Sequence, residues 1–135
     1  MSVFEWREEF SVNIAEMDEQ HKKLFGLING LAQARNEGND REATGKTIEG
    51  LIDYVKTHFD SEEKLLKEYD YTDYFDHRQA HIKLTIKVVE FQQRYVKNSL
   101  PVANELAEFL SLWLQGHIMG EDKRYGKYLN NKGIH

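Results

Sequence analysis

At 135 residues, 40% hydrophobic and 30% charged, the chain has the length and composition of one globular domain with its own core. Its net charge of −5, with no more than two cationic residues adjacent, argues against nucleic acid and anionic membrane surfaces as partners. No apolar run nears the roughly 20 residues of a membrane span and no signal-peptide core opens the chain, so a cytoplasmic location is expected; without cysteine, any metal must be held by His, Asp or Glu.

Residues 1–17 fit no long helical stripe and read as an arm, with Phe4, Trp6, Phe10, Val12 and Ile14 spaced to pack as extended chain over something apolar. From Asp18 the spacing turns helical, with His21, Leu24, Leu27, Ile28 and Leu31 on one face until "NEGND" at 36–40. A second helix is predicted from about Asp40 to Tyr69, with Asn39 or Asp40 as its N-cap. Its stripe of Ile48, Leu51, Ile52, Val55, Phe59, Leu65, Leu66 and Tyr69 also contains His58 and Glu62. After a turn at "DYTD", Asp73 can cap a third helix whose face carries His77, His81, Leu84, Val88, Phe91 and Tyr95. The only proline, Pro101, suits the first turn of a fourth helix, which aligns Val102, Leu106, Phe109, Leu110, Trp113 and His117 before Gly120 interrupts it. The sequence after Gly120 reads as a short basic and aromatic tail. Four amphipathic segments joined by short polar breaks predict an all-α fold: an antiparallel up-down-up-down four-helix bundle (18–119) with an N-terminal extended arm (1–17) and a C-terminal tail (120–135), in one domain.

Five of the six histidines, His21, His58, His77, His81 and His117, fall on inward faces. One such histidine is ordinarily a core residue with a hydrogen-bond partner. Five, together with Glu62, would cost several kcal/mol in unsatisfied polar groups unless something shared satisfies them, and a metal centre does that with one object. His58 and Glu62 stand at i, i+4, as do His77 and His81, so each pair shares a helix face. His117 and Asp122 stand at i, i+5, which a regular α-helix would splay by about 140°; a helix ending at Gly120 could turn the Asp back beneath the His. Seven ligands with five imidazoles suit a metal of intermediate hardness such as iron and are too many for one zinc. The count fits a dinuclear centre with two bridging carboxylates, five terminal histidines and one position over.

The segments "MDEQHKKL" (17–24), "HFDSE" (58–62), "HRQAH" (77–81) and "HIMGED" (117–122) together resemble the hemerythrins, in particular the single-domain bacteriohemerythrins, over essentially the whole chain. That resemblance implies two Fe ions with an oxo or hydroxo bridge. His77, His81 and His117 would hold one iron, His21 and His58 the other, with Glu62 and Asp122 bridging. It further implies reversible dioxygen binding, as hydroperoxide, at the five-coordinate iron, in an apolar pocket lined by Leu24, Phe59, Trp113, Leu114 and Ile118. Tyr125 is a further candidate donor near the ligands. The expected role is oxygen storage, delivery or sensing, by a monomer or weak oligomer that is not an enzyme. The alternatives are a di-iron enzyme scavenging peroxide or nitric oxide, which the absence of any Glu-x-x-His disfavours, and an oxygen- or iron-responsive interaction module. The charged outer faces (Glu49, Asp53, Lys56) and the terminal "KRYGKYLNNK" read as solvated surface.

Overall fold

The computed structural model describes the backbone of residues 5–36, 41–98 and 100–135, and the side chains of these except 33–36, 41–44, 98 and 100–104. Among them are α1 (Ala15–Asn36), α2 (Arg41–Glu68), α3 (Tyr74–Asn98), α4 (Leu100–His117) and α5 (Lys123–Asn131), with no strand. The expected packing of Phe4 and Val102, and the cap at Asn39 or Asp40, lie outside the described residues. Helices α1 to α4 make the antiparallel four-helix bundle: α1 packs on α2 and α4, and α3 packs on the same pair. The stripes read from the sequence meet in its core, where Ile28, Leu31, Ile48, Leu51, Leu84, Val88, Leu106 and Leu110 are all buried. No helix of the described residues is long and apolar enough to cross a membrane.

The α2–α3 turn is closed by backbone bonds. Asp70 takes a left-handed conformation (φ 53°), Tyr71 N–H donates to Leu66 O at 2.9 Å and Asp70 N–H to Lys67 O at 3.2 Å. This pairing satisfies carbonyls that a helix end leaves free.

The arm is more structured than simple extended chain. Glu8–Phe10 form a single 3-10 turn, and the Asp18 carboxylate accepts from Ser11 Oγ at 2.6 Å and Val12 N–H at 2.9 Å. These contacts let α1 start at Ala15, ahead of Asp18, with Ile14 and Met17 buried. Trp6, Phe10 and Phe25 cluster with ring centroids 5.3 to 6.0 Å apart.

The expected solvated tail is instead a helix. In α5, Tyr125, Gly126 and Leu129 are buried. Gly126 has room only for hydrogen, because a Cβ there would run into the Val12 carbonyl. Tyr128 Oη donates to Tyr69 O at 2.8 Å and Asp70 O at 2.9 Å, so α5 also caps the end of α2.

Candidate metal centre

The bundle interior is polar at one end, where His21 (α1), His58 and Glu62 (α2), His77 and His81 (α3), His117 (α4) and Asp122 are all at most 6% exposed. The structure brings all seven predicted residues together. The i, i+5 pair aligns by a different route from the one expected, since the chain does not stop at Gly120. Residues Ile118–Asp122 form one π-helical turn, in which Lys123 N–H reaches Ile118 O, five residues back. A wider turn absorbs one extra residue, so Asp122 comes beneath His117 while the helix runs on into α5.

The ligand-capable atoms fall into two groups that share Glu62: one with His77, His81 and His117, the other with His21 and His58. Glu62 divides its oxygens between them. Oε1 lies 2.7 Å from His77 Nε2 and 3.0 Å from His81 Nε2, whereas Oε2 lies 3.3 Å from His58 Nε2 and 3.5 Å from His21 Nε2. Asp122 divides likewise, with Oδ1 3.1 Å from His117 Nε2 and 3.2 Å from His77 Nε2, and Oδ2 3.2 Å from His21 Nε2. The two carboxylates thus lie between a three-histidine half and a two-histidine half.

The electrostatics follow from that crowding. Burial pulls the His21 imidazole down, but facing Asp122 and Glu62 more than reverse this and raise it to about 9. The same balance takes His77 to about 10, and His117, opposite Asp122 and Glu121, to about 9. Against its own burial, Glu62 is held well below the usual carboxylate range by His58, His21 and His77. Burial and Glu62 push Asp122 upward, yet His117 and His21 hold it down. Without metal the cluster is therefore held together by protons on its imidazoles. Those contacts are poorly directed: His21 Nδ1 and Nε2, His77 Nδ1 and both Asp122 oxygens make no aligned hydrogen bond, though fully buried. Buried groups this polar are ordinarily satisfied. Five imidazoles and two carboxylates converge here with only His77–Glu62 and His117–His81 hydrogen-bonded to each other among the described residues, and such a donor set fits metal ions as the common partner.

The next layer contains residues that the sequence reading passed over. His58 Nδ1 faces Gln20 Oε1 at 2.6 Å, His81 Nδ1 faces Glu63 Oε2 at 2.8 Å, and His117 Nδ1 lies 3.0 Å from Glu121 Oε2. Each of the three is next in sequence to a ligand candidate, and that adjacency was the only available signal. Tyr125, fully buried, donates to Glu62 Oε2 at 2.6 Å. Burial and then the Glu62 and Asp122 carboxylates push its phenol well above its usual value, so it stays a donor.

Of the apolar residues expected around the site, Leu24, Phe59, Leu114 and Ile118 are buried and Trp113 is partly so. Phe59 stacks on His81 at 3.7 Å between ring centroids and lies 5.9 Å from His58. Trp113 stacks on His117 at 4.4 Å.

A histidine-rich, carboxylate-bridgeable cluster inside an antiparallel four-helix bundle defines a class of metal-binding helical proteins, and the comparisons narrow it. Residues 12–129 match the family model described as the hemerythrin HHE cation binding domain. A bacteriohemerythrin of Methylococcus capsulatus is 34% identical over 131 residues, covering 96% of this chain and 99% of that protein. One of Stenotrophomonas maltophilia is 30% identical over 125 residues, covering 93% and 80%. A crystal structure of wild-type hemerythrin superposes with a TM-score of 0.87 at 34% identity, covering 93% of this chain and 97% of that one. The chain belongs to the hemerythrin family.

Proposed function

We propose that this protein binds dioxygen reversibly at a dinuclear iron centre held by His21, His58, Glu62, His77, His81, His117 and Asp122. The observation that carries the reading is the division of Glu62 and Asp122, each with one oxygen toward each half of the cluster. That is the disposition two ions need from bridging carboxylates. When bound, the irons would supply the electrons that hold dioxygen and take them back on its release.

The chain's own residues supply the rest. With both carboxylates shared, the His21–His58 half has one imidazole fewer than the other, and that half would face dioxygen. Stacking of Phe59 on His81 and of Trp113 on His117 fixes both rings. With Leu24, Leu114 and Ile118 they form the proposed dry pocket, which would slow the protonation that turns reversible binding into oxidation. Tyr125 holds the Glu62 oxygen that faces the same half. The imidazole-rich donor set favours carriage over oxidative turnover, and storage, delivery or sensing is the proposed role.

Anaerobic loading with Fe²⁺ followed by air tests this. The expected result is two irons per chain and a visible band that appears with oxygen and disappears on degassing. One iron per chain, or direct conversion to a ferric species that degassing does not reverse, overturns the reading. Steady turnover of peroxide or nitric oxide well above that of free iron would replace carriage with scavenging.

A further inference from the structure

The acceptors behind the imidazoles differ in charge between the two halves. In the three-histidine half, the Nδ1–H of His81 meets the Glu63 carboxylate at 2.8 Å. His117 Nδ1 lies 3.0 Å from the Glu121 carboxylate. His77 of that half lines a cleft with Asp73, Asp76 and Glu121, but its Nδ1 has no hydrogen-bond partner among the described residues. In the two-histidine half neither Nδ1 is hydrogen-bonded to a carboxylate among the described residues: His58 meets the neutral amide of Gln20, and His21 Nδ1 has no partner. The amide is fixed in this role, because Gln20 Nε2 donates to Ser61 Oγ at 3.2 Å and leaves Oε1 for His58.

A carboxylate that accepts an imidazole N–H makes the other ring nitrogen a stronger donor, whereas an amide accepts the same proton with much less effect. We propose that Gln20 is a positioning residue that keeps the His21–His58 half the weaker of two ion sites. Glu63, acting on His81, would make the other half the stronger. The proposal rests on the ligand assignment above.

The experiment titrates the metal-free full chain with Co²⁺, whose visible spectrum reports coordination without redox chemistry, alongside calorimetry. Wild type should take two ions in two resolved steps. Gln20→Glu keeps the length and adds the charge, with Ser61 Oγ–H turning from acceptor to donor, and should tighten the weaker step by about tenfold or more with the stronger within about twofold. Glu63→Gln should do the reverse, weakening only the stronger step by about tenfold. A tightened step is an outcome that loss of structure cannot produce, and far-UV circular dichroism checks that each variant keeps its helices. If Gln20→Glu leaves the weaker step unchanged or weakens it, or if both variants move the same step, the proposal is overturned. If wild type binds fewer than two ions, the ligand assignment itself fails.

Discussion

The Tyr125 hydroxyl donates to Glu62 Oε2 from a position with no solvent exposure. Its removal therefore leaves a buried carboxylate oxygen short of its shortest hydrogen bond. Hydrogen bonds to buried charges contribute about 1.5–3 kcal/mol, so Tyr125→Phe should lower the unfolding free energy of the metal-free protein by about that much in denaturant titration. It should also weaken ion binding by about tenfold or more, because Glu62 loses the contact that orients it. An unchanged midpoint and an unchanged affinity would show that the hydroxyl does not hold Glu62. The charge on Glu62 has a separate effect. Glu62→Gln keeps the shape but removes the anion facing four imidazoles, and is expected to abolish two-ion occupancy, measured as metal per chain, with the helical circular dichroism retained. Two ions bound as in wild type would count against a bridging role.

Two glycines six residues apart separate what the helix needs from what the arm needs. Gly120 lies inside the π-helical turn, and a Cβ there meets nothing within 4 Å. Gly120→Ala should therefore gain the helix preference of alanine, about 0.5–1 kcal/mol, with ion binding intact. Gly126 lies against the Val12 backbone, and a Cβ would have to displace the arm. Gly126→Ala should cost about 1–3 kcal/mol, as overpacking of a close contact does. Thermal unfolding of both variants checks the pair, and equal shifts in the same direction would sink the distinction. The same region marks the limit of what the sequence reveals. Helical spacing alone located α1 to α4 and put five histidines and Glu62 on inward faces, because a histidine or carboxylate on an apolar stripe stands out. The i, i+5 spacing of His117 and Asp122 was legible as irregular, but its cause was not: one inserted residue can be absorbed by a helix stop or by a widened turn, and no composition signal distinguishes them. Helix α5 was hidden because nine residues with three cations look solvated until Val12 and Tyr69 are known to lie against them. Gln20 and Glu63 act across helices, on partners that only the packed bundle supplies, and Glu121 meets His117 four residues back through the irregular turn.

For the whole molecule, protons and metal ions compete for the same buried cluster, and the direction of each pH effect follows from that. His21, His77 and His117 are raised from 6.5 to about 9, 10 and 9. Their contribution to stability is full below pH 6.5 and is lost as pH rises through 9 to 10. Glu62 and Asp122 are depressed, so their contribution is present above about 4.5 and lost as pH falls. The metal-free protein should thus be most stable between about pH 4.5 and 6.5, with a Tm that falls steadily towards pH 10; a Tm flat across that alkaline range would contradict it. Ions that coordinate imidazole nitrogen must displace those protons. Loading metal-free protein with Co²⁺ at pH 7 should release on the order of three protons per chain, one each from His21, His77 and His117. An indicator dye in weak buffer measures this directly. The release should shrink towards zero near pH 10.5, where the imidazoles are already neutral, while apparent affinity rises over the same interval. Loading should raise Tm in proportion to the logarithm of free ion concentration, and most steeply at alkaline pH, where protons no longer hold the cluster together. Binding at pH 7 with no proton release would mean that the imidazoles were neutral beforehand, and the buried carboxylates would then need another source of compensating charge.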